Sequence, residues 1–181
     1  MKRLIASLLM LSAAACTTDE KSGGTDGATS DASTTLSSED AEACACLADA
    51  SCGAAQCEAV LASCEGCDEG PDEAAVECSL VALRDRTPGM IAWVRRSQAG
   101  EEFTRNRVYI RADGPAVLER YNAQDLCTRT GPHALVTLES PAYYEGCLAK
   151  ATLAERISCL TQGLGEETAE CTPSVEECAG L

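Results

Sequence analysis

The sequence predicts a small α+β domain rich in disulfides. An antiparallel sheet is packed by a C-terminal helix, with a cysteine-rich helical hairpin beside it. Three observations predict this. Thirteen of 181 residues are cysteine, far above ordinary usage and the mark of a crosslinked scaffold. Residues 105–111 alternate strictly: Arg105, Arg107, Tyr109 and Arg111 point one way and Asn106, Val108 and Ile110 the other, the period of a half-buried strand. Leu153, Ile157, Leu160 and Leu164 recur at helical spacing.

Residues 1–15 read as an export signal. Lys2 and Arg3 make the positive start, Leu4 to Leu11 the apolar stretch and Ala13-Ala14-Ala15 the small-residue cleavage site. The apolar run from Leu4 to Ala15 has 12 residues, whereas a membrane-crossing helix takes about 20. Cys16 follows at once. The arrangement resembles the lipobox of bacterial lipoproteins, with Ala13 where leucine is commoner and Leu11 two residues further back. The resemblance covers the signal alone. It implies that Cys16 is diacylated on sulfur, that the signal is removed and that the new amino group is acylated. The chain would then be anchored in the envelope of a Gram-negative bacterium, and Thr17, in place of an aspartate after the cysteine, implies the outer membrane. Cysteine arithmetic agrees: without Cys16 twelve remain, an even set for six disulfides, whereas plain secretion strands one thiol in an oxidising space.

From Cys16 to residue 38 the chain is a disordered tether. Residues 17–38 hold 11 Ser/Thr and three Gly, with Leu36 as the one large apolar residue. Residues 39–77 form the cysteine-rich helical segment. Ser37 with Asp40 makes a capping box, and Ala41, Cys44 and Ala48 share a helical face. After a break at Ser51-Cys52-Gly53, the residues Cys57, Val60, Leu61 and Cys64 form a second helical stripe. Glu65 to Glu73 is an acidic loop.

Residues 78–181 carry the α+β core and its disulfide-tied acidic tail. All six aromatics lie between residues 93 and 144. Cys78–Leu83 and Met90–Val94 read as strands around Thr87-Pro88-Gly89. Asp113-Gly114 joins the alternating strand to Ala116–Tyr121 as a hairpin, and Leu135–Leu138 is a fifth strand. Ser140-Pro141 opens the helix that carries Leu153 to Leu164. Ser174 and Glu177 form a capping box for a last helical turn, tied back by Cys171 and Cys178.

The charge excludes one class of function. Once Lys2 and Arg3 leave with the signal, 29 acids face 12 bases, a net −17, so no nucleic-acid partner is expected. Residues 17–78 carry −14 and 161–181 carry −5, while 79–160 are arginine-rich at +2. The disulfide candidates are Cys44, Cys46, Cys52, Cys57, Cys64, Cys67, Cys78, Cys127, Cys147, Cys159, Cys171 and Cys178. Cys44 and Cys46 project about 200° apart on a helix and so serve different partners. Cys64 and Cys67 have the spacing of thiol-disulfide oxidoreductases, but Glu65, Asp68 and Glu69 disfavour a thiolate there and no βαβ pattern surrounds the pair. The loop Asp68 to Glu73 lacks the spacing of a calcium-binding EF-hand, and His133 reads as an exposed turn residue. No catalytic motif, cofactor or metal site is expected. Arg105, Arg107, Tyr109 and Arg111, with Arg95 and Arg120 beside them, form the candidate surface for an anionic envelope component or protein. The expected role is a binding or structural module held to the membrane by its lipid anchor, with metal handling by the Cys44–Cys67 segment as the alternative.

Overall fold

A hydroxyl starts the first helix. Ser37 Oγ accepts the Asp40 amide at 3.1 Å and donates to the Asp40 carboxylate at 2.8 Å, so α1 (Ser38–Asp49) begins with its capping interaction satisfied. The computed structural model describes residues 36–49, 52–66, 70–97, 102–112 and 114–179. The stretches read as an export signal and a tether up to residue 35, with Cys16, and also Cys67 and the tip of the acidic loop, lie outside them.

Two expectations before the main sheet are corrected. The second arm of the hairpin is a strand, β1 (Val60–Glu65), and Cys78–Leu83 belongs to a helix, α2 (Glu73–Asp85). A short apolar run does not declare its period, so tertiary pairing decided the first: Val60 is fully buried in parallel register with Trp93. Capping decided the second. The Asp72 side chain accepts the Ala74 amide, and Ala75, Val76, Ser79, Leu80, Ala82 and Leu83 form one buried stripe.

β2 (Gly89–Ser97), β3 (Glu102–Ile110) and β4 (Ala116–Gln124) form the antiparallel centre of an eight-stranded sheet with β1 at one edge. The first half of β4 pairs with β6 (His133–Leu138), the second with β5 (Cys127–Thr130). The last two strands, β7 (Leu164–Thr172) and β8 (Val175–Cys178), pair with β6 and β5 respectively. Both lines break beside Gly131, whose φ is +82°, and a Cβ there would sit 2.8 Å from the Pro173 carbonyl oxygen. Only glycine permits that approach.

The single C-terminal helix of the sequence reading is two, α3 (Pro141–Leu148) and α4 (Leu153–Gln162). Thr152 and Glu155 form a complete capping box and start a new helix, and Leu164 opens β7. The acidic tail is also strand, not a helical turn. Its Ser174–Glu177 box has no apolar run behind it, and Val175 and Cys178 pair across to Thr130 and Cys127.

α2, α3 and α4 cover one sheet face. Leu80, Leu83, Tyr144, Ile157 and Leu160 meet Ile91, Trp93, Val108, Ile110, Leu118 and Val136 there in one buried cluster. The Tyr144 hydroxyl donates to the Gly163 carbonyl, and burial pushes that phenol up to about 12. α1 lies on the opposite face, where Ala43 packs with Tyr109, Val117 and Leu135. No helix among the described residues is long and apolar enough to cross a membrane.

Candidate functional site

The disulfides form a frame. Cys44 bonds Cys171, Cys46 bonds Cys52, Cys57 bonds Cys78, Cys127 bonds Cys178 and Cys147 bonds Cys159. Cys64 is disulfide-bonded as well, to a partner outside the described residues. Cys44 and Cys46 serve different partners, as their angular separation on α1 requires. The acidic tail is tied back twice, through Cys171 to α1 and through Cys178 to β5.

Paired sulfur has no thiolate to offer a metal. Among the described residues one trio brings three potential ligands together, Cys127, Glu176 and Cys178, and its two sulfurs are bonded to each other. The expectation that no βαβ unit surrounds Cys64 is corrected. β1 runs parallel to β2 with α2 as the crossover, and α2 starts at Glu73, nine residues after Cys64. Two carboxylates of the acidic loop also have internal roles, Asp72 as the α2 cap and Glu73 in an ion pair with Arg156 at 2.7 Å.

The arginine row divides. Register places Arg105, Arg107 and Tyr109 on the α1 side of the sheet opposite Tyr121, Glu119 and Val117. Arg107 Nη1 lies 3.2 Å from Glu119 Oε1, Arg105 Nη2 lies 3.7 Å from it, and the Tyr109 hydroxyl donates to Oε2 at 2.8 Å. One carboxylate thus holds two guanidiniums and a phenol. Tyr109 is only 7% exposed, and burial followed by the Glu119 hydrogen bond raises its pKa. Arg105 also lies over the Tyr121 ring at 5.2 Å, with Phe103 edge-on to that ring at 6.0 Å. Arg111 follows the end of β3 and lines a hollow of about 370 Å³ with Glu39, Asp40 and Glu42 of the α1 end.

Arg95 and Arg120 do not extend this row. Their register partners, Thr104 and Asn106, point to the helix-bearing face. Arg120 donates to the Pro132 carbonyl at 2.9 Å and pairs with Glu167. Glu119 is the residue the sequence reading missed. The observed register is centred on position 113 and sets it opposite Arg107, whereas a two-residue turn at Asp113-Gly114 would have set Arg120 there.

His133 is corrected from an exposed turn to a buried strand residue, 8% exposed. Its Nδ1 accepts the Arg120 amide at 2.9 Å, and burial lowers its pKa. A ring in that position is a neutral acceptor in the fabric of the sheet.

Comparison with family models, curated proteins and solved structures gives no match for this chain.

Proposed function

We propose that the chain is a lipid-anchored, disulfide-stapled protein of the bacterial envelope that works as a binding module without chemistry of its own. The cysteine pattern carries the reading. Ten described cysteines pair among themselves and Cys64 takes one further partner. Twelve of the thirteen are thereby consumed and one is left over. The lipobox-like context makes that one Cys16. Disulfides at this density need an oxidising compartment, which agrees with the export signal of residues 1–15. Two or more acyl chains on Cys16 would hold the protein stably at a membrane, where a single chain binds only marginally. The paired state of the described cysteines in the Cys44–Cys67 segment leaves them no free thiolate, so metal handling is not the reading we adopt.

The test is Cys16→Ser in a Gram-negative host. Wild-type protein should incorporate labelled palmitate and enter the detergent phase, and the variant should lose the label and either become soluble or stay unprocessed. A variant that still partitions into detergent with its signal removed would sink the reading.

A further inference from the structure

Strands β2, β3 and β4 run beyond the helices that cover them. Ile91, Val108 and Ile110 lie fully inside, but further along the same face come Arg95, Thr104, Asn106 and Arg120. The end of α4 and the start of β7 close over this stretch and leave a cavity of about 360 Å³. Its floor is apolar, made by Trp93, Leu118 and Val136, all nearly or fully buried.

The walls have a consistent chemistry. Arg95 and Thr104 are direct register partners, and Asn106 stands two residues along β3 on the same side. Arg95 has no hydrogen-bond or ion-pair partner among the described residues, and neither do the side chains of Thr104 and Asn106. Every other described arginine is engaged, most of them with the chain's own carboxylates or backbone carbonyls. The three side chains therefore present a guanidinium, a hydroxyl and an amide with their donors unused. Across the cavity Glu167, fixed by its pair with Arg120, presents acceptors.

We propose that this cavity binds a small hydroxylated anion, a sugar acid or sugar phosphate. Its oxyanion would be held by Arg95, Thr104 and Asn106, its hydroxyls would donate to Glu167, and its ring would rest on the apolar floor. A guanidinium flanked by neutral donors matches carboxylate or phosphate geometry. The volume lies near the lower limit of small-molecule sites, about 300 Å³, which suits one sugar unit rather than a polymer. The proposal gives a site to the binding role stated above and rests on that role. It does not rest on acylation, so loss of the anchor would leave it standing and loss of the site would leave the anchor standing.

Trp93 is the one tryptophan of the chain and lines the cavity, so its emission reports occupancy. Purified full-length protein should be titrated with glucuronate, glucose 6-phosphate and, as the neutral control, glucose. At least one anion should give a saturable change, with glucose weaker by about tenfold or more. The two anions distinguish a carboxylate from a phosphate source. Arg95→Gln should weaken binding by about tenfold or more without altering melting or circular dichroism, because Arg95 is exposed and unpaired, and Arg95→Lys should restore part of it. Asn106→Asp, which adds a like charge beside the oxyanion, should weaken it too. The proposal fails if neither anion gives a saturable change up to about 10 mM, if glucose binds equally well, or if Arg95→Gln binds as the wild type does.

Discussion

On the helix-bearing face of the sheet eighteen buried residues form one apolar cluster from Val60 to Leu160. On the other face the buried apolar cluster has four members, Ala43, Tyr109, Val117 and Leu135, and the residues packed around it include Cys44, Cys46, Cys52 and Cys171. The first face is held by apolar burial, at roughly 25 cal/mol per Å² removed from water, with Cys147–Cys159 clamping α3 to α4. The second buries too little for that. It relies on Cys44–Cys171, which ties α1 to β7, and on Glu119 with its three partners. Covalent bonds and ion pairs stand where large apolar side chains are scarce.

The largest expected effect comes from removing the bond that fastens α1. Cys44 and Cys171 are 127 residues apart, and a crosslink of that span is worth up to about 4–5 kcal/mol in the chain-entropy model. Replacing both with alanine should abolish amide-exchange protection in residues 38–49 while the strands β2, β3 and β4 keep theirs. If the helix stays as protected as in the wild type, apolar packing holds it and the contrast between the faces is wrong. Leu80→Ala makes the complementary change. Leu80 is fully buried, so its truncation should cost about 2–5 kcal/mol in urea unfolding. That loss should lower protection across the whole sheet, with no selective release of α1. Selective release of α1 by Leu80→Ala would break the comparison from the other side.

The same contrast explains what could be read from the sequence. β2, β3, β4 and β6 were legible because one side of each faces an apolar core, so alternation or an apolar run marks it. The starts of α1 and α3 were legible because Ser37 and Ser140 cap them locally. The starts of α2 and α4 also rest on local caps, at Asp72 and Thr152, that the reading passed over, and the other losses were decided by distant partners. β1 is a strand because Val60 meets Trp93, and the tail is strand because Cys178 meets Cys127. Neither partner is a sequence neighbour. The arginine row was seen as a group, but whether it faces a partner or the chain's own glutamate depended on hairpin register. The cavity beside Arg95 needed the end of α4 and the start of β7 brought over the sheet, which no local pattern announces.

A smaller effect tests the charged part of the α1 side. Glu119→Gln keeps the shape and one acceptor but removes the charge that Arg105 and Arg107 share. The loss should be about 1–2 kcal/mol, the range for charge-assisted bonds that are partly buried, and added salt should shrink the difference between variant and wild type. A variant within about 0.3 kcal/mol of the wild type would mean that the row is a solvated face, free for an outside partner.

The smallest effect is a pH dependence. Burial holds the His133 pKa below its ordinary value of 6.5, with Arg120 lowering it and Glu119 opposing. The unfolded chain therefore takes up a proton at a higher pH than the folded chain does. Stability is full above the unfolded value and falls as pH drops through 6.5 towards the lower folded value. This is the one histidine of the chain. The carboxylates held low by their partners, Asp85 beside Arg84 and Glu155 at the Thr152 cap, start from 3.8 and 4.5 and titrate well below that window. A decline in urea midpoint between about pH 7.5 and pH 5.5 is therefore assigned to His133. In His133→Asn the amide oxygen can accept the Arg120 N–H in place of Nδ1 and has no proton to gain, so its midpoint should be flatter across the window. If the variant declines as steeply as the wild type, the proton goes elsewhere and His133 is not the neutral acceptor that its hydrogen bond from the Arg120 amide requires.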